Sequence, residues 1–116
     1  MAFKAAFIAH APDADPDAEP EKHRCLIETP SLYKLFVRVV QAGQEVEVCQ
    51  NLVKEEGIHT IIFCPGFTHK DIAKVVEAVG PKVGVFVGRG DGPSIRLSQA
   101  IRRWELHGKG EPPPSP

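Results

Sequence analysis

Residues 58–79 read IHTIIFCPGFTHKDIAKVVEAV, and this stretch sets the fold class. Ile58 to Cys64 is β-branched and aromatic without strong alternation, the pattern of a short strand buried on both faces. Pro65-Gly66 breaks the strand. Thr68 then suits a helix N-cap, with Asp71 placed against the positive end of the helix. Phe67 and Ile72 have the spacing of a hydrophobic staple. Ile72, Val75, Val76 and Val79 fall at i, i+3, i+4 and i+7, and Gly80-Pro81 ends the helix. Strand, turn and amphipathic helix in this order form the unit from which α/β proteins are built.

Upstream, Phe3 to Ala9 is a second apolar run, read as the first strand, with His10 just past its end. Residues 11–20 carry Pro12, Pro16 and Pro20 among Asp and Ala, a polar loop. Glu21 to Glu28 reads as about two turns of helix ended by Thr29-Pro30. Leu32 to Val40 is a longer strand with Lys34 and Arg38 on one face and Tyr33, Leu35, Val37 and Val39 on the other, which predicts a sheet edge. Gly43 to Glu56 is a helix buried along Val46, Cys49, Leu52 and Val53, with Gly57 as its stop. Downstream, Lys82 to Val87 is a fourth strand. Gly88-Arg89-Gly90-Asp91-Gly92 is a turn, and Pro93 opens a last helix with Leu97, Ile101 and Trp104 on one stripe.

The expected architecture is therefore a single α/β domain over residues 1–107, with a disordered Pro-rich tail over 108–116. Its sheet is short, mostly parallel and four-stranded, with flanking helices and a flavodoxin-like order 2-1-3-4. That order places His10, Cys64-Pro65-Gly66 and the Gly88–Gly92 turn along one edge of the sheet, at the switch point where open α/β sheets bind ligands.

Composition narrows the function classes. The formal net charge is −1 over 116 residues, with 42% hydrophobic and 25% charged residues, which favours neither nucleic acid nor an anionic membrane as partner. No apolar run reaches the roughly 18–20 residues that span a bilayer, and no basic leader precedes the first strand, so the expectation is a cytoplasmic protein. Cys25, Cys49 and Cys64 form neither a disulfide framework nor a zinc pattern, and the five histidines show no metal-ligand spacing.

Two chemistries suit the predicted edge. Cys64 stands near a helix N-terminus that favours thiolate, with His10 and His69 as proton partners for a nucleophilic site. The plainer alternative is a small buried residue ending a strand. The leading reading is an anion-binding site instead. The amides of Gly66, Phe67 and Thr68 at a helix start suit phosphate or carboxylate, and Arg89, carried in the turn with Gly90 and Asp91, adds a bidentate clamp. Gly88-x-Gly90-x-Gly92 matches neither a dinucleotide fingerprint nor a P-loop, so the sequence names no cofactor. A third possibility is a structural or oligomerising module without a ligand. The apolar face of Leu32–Val40 predicts a homodimer or larger assembly, unless Leu97, Ile101 and Trp104 cover that face within one chain.

Met1-Ala-Phe-Lys-Ala-Ala-Phe-Ile through Ile27-Glu28-Thr29-Pro30 resembles a small microbial single-domain α/β family catalogued as a domain of unknown function. The resemblance continues through Leu52-Val53-Lys54-Glu55-Glu56-Gly57-Ile58, Cys64-Pro65-Gly66-Phe67-Thr68-His69 and Gly80-Pro81-Lys82-Val83, and covers about residues 1–95. It implies a compact α/β protein and supplies no activity, cofactor or catalytic residue.

Overall fold

The computed structural model describes residues 2–15, 22–31 and 33–108. In chain order these form β1 (Phe3–His10), β2 (Arg24–Glu28), β3 (Tyr33–Val40), α1 (Glu45–Glu56), β4 (Thr60–Phe63), α2 (His69–Val79), β5 (Gly84–Val87) and α3 (Gly92–His107). The strands make one mixed, mostly parallel sheet in the order β2-β3-β1-β4-β5. Strands β3, β1, β4 and β5 run parallel, and β2 runs antiparallel to β3.

The expected four-stranded sheet is thus corrected to five strands, because the segment read as a helix over Glu21–Glu28 is a strand from Arg24 onward. Arg24-Cys25-Leu26-Ile27-Glu28 gains a full ladder against β3. A short turn closes the hairpin: the Tyr33 amide donates to Thr29 Oγ1 at 2.9 Å, and the Thr29 amide donates to the Tyr33 carbonyl at 2.9 Å. Across it, Lys34 and Glu28 pair at 3.7 Å. A weak helical preference in a segment this short yields to strand pairing. The same hairpin moves β3 off the edge, so Lys34 and Arg38 lie on a seam between strands instead of facing solvent along a free edge.

Helices α1 and α2 pack side by side on one face of the sheet. Under them lie Ile8, Phe36, Val40, Ile61 and Phe63 from the strands, with Cys49, Leu52 and Val75 from the helices, all at most 5% exposed. β4 therefore alternates instead of being buried on both faces: Ile61 and Phe63 point under the helices, and Thr60 and Ile62 stay half-buried on the other side. Connections β3–α1–β4 and β4–α2–β5 step in the same direction across the sheet, which puts both crossover helices on one side. A helix between β1 and β3 would have covered the opposite side, but β2 stands there instead.

Helix bounds follow glycine conformation. α1 begins after Gly43, whose φ of 91° is left-handed, and stops at Gly57, φ 69°. Helix α3 is exposed at every described side chain except the half-buried Trp104, so the alternative in which Leu97 and Ile101 cover the β3 face within one chain is not formed. Gly108 caps α3, and the rest of the expected tail lies outside the described residues. No helix of the described residues is long and apolar enough to cross a membrane.

Candidate functional site

At the carboxyl end of the parallel strands, β1 ends in His10 and β4 runs into Cys64, since parallel pairing sets Ile8 beside Phe63. The Cys64 amide donates to the Ile8 carbonyl at 3.0 Å, extending that register by one residue. Gly66 then brings the turn back over the strand ends. A Cβ placed on it would lie 3.5 Å from Cys64 Sγ and 3.8 Å from His10 Cβ, so the Cys64 thiol and the base of the His10 side chain flank one point. His69 opens α2 as an exposed residue.

Phe67 is 3% exposed, and its ring meets Phe63 edge-on at 4.9 Å and His10 at 5.9 Å. It anchors the turn in the core through Phe63 and His10. The start of α2 is closed by a capping box: Asp71 Oδ2 accepts from the Thr68 amide at 2.9 Å, and Thr68 Oγ1 accepts from the Asp71 amide at 3.1 Å. Hydrogen bonds from Thr68, with smaller contributions from the Lys74 and His10 charges, hold the Asp71 carboxyl below its ordinary pKa. Arg89 is equally committed, donating from Nη1 to the Pro65 carbonyl at 3.0 Å and from Nη2 to the Phe67 carbonyl at 2.8 Å. Asp91 caps α3, accepting from the Ser94 amide at 2.9 Å, and that bond lowers its pKa. Gly90 packs its backbone near Ile95. Of the expected anion ligands, the Thr68 amide and the Arg89 guanidinium are thus engaged by the protein itself, and a carboxylate already sits at the helix start.

A different constellation lies at the other end of the sheet's width. Arg24 of β2 and Arg38 of β3 are register partners in the antiparallel ladder, so both side chains rise on the face that carries α1. Between them and α1 lies a cleft of about 460 Å³, bounded also by Asn51, Leu52, Glu55 and Glu56. Arg38 Nη1 donates to the carbonyls of Cys25 at 3.3 Å and Val37 at 3.0 Å, and its guanidinium stands 5.8 Å from the Phe36 ring. Arg24 Nε is buried without a hydrogen-bond partner. Among the described residues neither guanidinium forms an ion pair. Burial first, and then the Arg24 charge, lower the Arg38 pKa, while the Cys25 and Glu56 charges oppose that shift. Two like charges on adjacent strands, one with an unsatisfied buried N–H, form a site that an anion would complete.

The sequence does contain a signal for this site. Glu28 faces Lys34 and Arg24 faces Arg38 when Arg24–Glu28 is folded back about the Thr29-Pro30-Ser31 turn. Reading the segment as helix concealed both pairings. The third cysteine, Cys49, offers no chemistry, because burial and the Glu45 charge push its thiol up to about 12. Among the described residues no group of three His, Cys, Asp or Glu side chains converges to hold a metal ion.

A family described as a family of unknown function (DUF6506) matches residues 3–102 of the 116. No curated protein and no solved structure matches the chain.

Proposed function

Since the chain belongs to this family of unknown function, we propose from its geometry that it is a binding domain for a small anionic molecule, held between Arg24 and Arg38 beneath α1. The carrying observation is the pair itself: two guanidinium groups opposite each other, unpaired with acids among the described residues, one with a buried N–H lacking an acceptor. A carboxylate or phosphate group offers planar or tetrahedral oxygens that two arginines grip together. Glu47, Glu55 and Glu56 line the same cleft, so the pocket suits one compact anionic head and repels an extended polyanion such as nucleic acid. A ligand that also carries a cationic group would find those carboxylates on the α1 side.

Titration calorimetry with inorganic phosphate and with acetate tests this reading. Saturable binding is expected, weakened about 10-fold or more in Arg24→Gln and in Arg38→Gln, since a charge-assisted hydrogen bond contributes about 1.5–3 kcal/mol. Arg89→Gln should bind as wild type. Affinity that is unchanged in both cleft variants contradicts the assignment.

A second reading rests on His10 and Cys64 flanking the point beside Gly66. In it Cys64 is a nucleophile and His10 its proton partner, with His69 at the rim. The rate of Cys64 alkylation against pH decides it: a His10→Ala variant must slow the reaction near neutral pH, and an unchanged profile removes the pairing.

A further inference from the structure

We propose that the sheet face turned away from α1 and α2 is a self-association surface, closed by the same face and by α3 of a second copy. The observation behind it is a segregation of charge. Every charged residue of the five strands lies on the face that carries the helices: Lys4, Arg24, Glu28, Lys34 and Arg38 share register with residues under or beside α1. The opposite face carries no charged residue. Its register rows are Ile27–Leu35–Ala5–Thr60–Gly84 and Cys25–Val37–Phe7–Ile62–Phe86. A bare sheet face open to water would show the reverse distribution, with polar residues outward.

Among the described residues, α1, α2 and the core cluster lie on the other face. Ile27 and Phe86 at its two margins are 53% and 61% exposed, and Phe7, Leu35, Val37 and Ile62 between them are half-buried around a fully buried Ala5, whereas Ile8, Phe36, Ile61 and Phe63 under the helices are at most 5% exposed. The first crossover supplies the strand β2 in place of the helix that would have lain here. Meanwhile α3 carries an apolar stripe in which Leu97 and Ile101 are 47% and 38% exposed and Trp104 is half-buried. Each copy therefore has one open face and one uncovered amphipathic helix, and a two-fold pairing uses both in equal number.

The areas suit a second copy. Five strands about 4.8 Å apart and about five residues long at roughly 3.3 Å each give a face of about 400 Å² in projection. A 16-residue helix about 24 Å long and 10 Å wide adds about 240 Å². Side-chain relief brings the sum near the roughly 800 Å² per partner of a stable interface. An uncharged face argues for a like surface over a charged partner, and face-to-face sheets pack at about 10 Å with interdigitating apolar side chains.

Sedimentation of the full chain from 1 to 100 µM, with Trp104 emission read over the same range, tests the proposal. Trp104 is the single tryptophan, so its spectrum reports α3 alone. The expected result is a species of twice the 12.7 kDa chain mass, with a blue shift of Trp104 as it forms. Ile27→Asp and Phe86→Asp change exposed margin residues and should give folded monomers by circular dichroism, with at least a 10-fold weaker association. A 12.7 kDa species at all concentrations overturns the proposal; if its Trp104 emission is already blue-shifted, α3 closes over its own sheet instead. A dimer that persists in both folded variants, or one that forms without a shift in Trp104 emission, overturns it as well.

Discussion

Arg24 and Arg38 face each other across the β2–β3 ladder on the α1 side, and among the described residues no acid is paired with either. The two are not equivalent. Arg38 is held by two carbonyls and the Phe36 ring, whereas Arg24 keeps an unsatisfied buried Nε. Without added anion, Arg24→Gln should leave stability unchanged or raise it by up to about 1 kcal/mol, because it removes a like-charge pair. Arg38→Gln should lower it by about 1 kcal/mol. Urea unfolding in a weakly binding chloride buffer measures both, and equal losses would deny the asymmetry.

Phe67 should be the most costly position of the strand–turn–helix unit. Its ring is buried against Phe63 and His10, so Phe67→Ala leaves a cavity and should cost about 3–5 kcal/mol. Thermal or urea unfolding reads this directly. A loss below about 1 kcal/mol would mean the turn closes without its anchor.

The capping box at the start of α2 gives a pH dependence with a definite sign. The Asp71 carboxyl is lowered by its bonds to Thr68, so its contribution is complete above the unfolded value of about 3.9 and fades as pH falls through the lower folded value. Asp71 is largely solvent-screened, which keeps that contribution small. Thr68→Ala should cost about 1 kcal/mol at pH 7, and its deficit relative to wild type should narrow in acid. A deficit that is constant from pH 7 to pH 2 contradicts the box.

Arg89 ties the turn after β4 to the turn after β5 through the Pro65 and Phe67 carbonyls. Arg89→Gln should reduce stability by about 1 kcal/mol, the low end for charged hydrogen bonds at an exposed position. It should also speed alkylation of the half-buried Cys64 several-fold, because the turn that Arg89 holds carries Gly66 next to the Cys64 sulfur. Cys49 should label only on global unfolding in either protein, as its buried thiol stays protonated near neutral pH. Unchanged Cys64 labelling would show that Arg89 does not fix the turn.

Much of this fold is written in local pattern. The Thr68 cap, the Phe67 anchor, Gly57 as helix stop and the adjacency of His10 and Cys64 follow from turn residues and parallel pairing, which nearby residues dictate. The strand β2 was hidden because five residues between prolines carry no decisive period, and only the long-range ladder to β3 selects the extended form. The cleft lined by two arginines was hidden with it, since Arg24 and Arg38 are 14 positions apart and meet only in that ladder. The protein-internal partners of Arg89 and of the Thr68 amide were not legible for a related reason. A sequence shows a donor at a site but not whether a backbone carbonyl or a capping carboxylate has already engaged it.

The most direct test of anion binding at the arginine pair is the Nε–Hε resonance of Arg24, followed by heteronuclear NMR during a phosphate titration. That proton is buried without an acceptor in the free protein, so a bound anion must move it. A saturable downfield shift of Arg24 Nε–Hε is expected, matched by Arg38 and absent from Arg89 and from the Arg38→Gln variant. An Arg24 resonance that stays in place while phosphate shifts the Gly66–Thr68 amides would contradict it and return the anion site to the turn before α2.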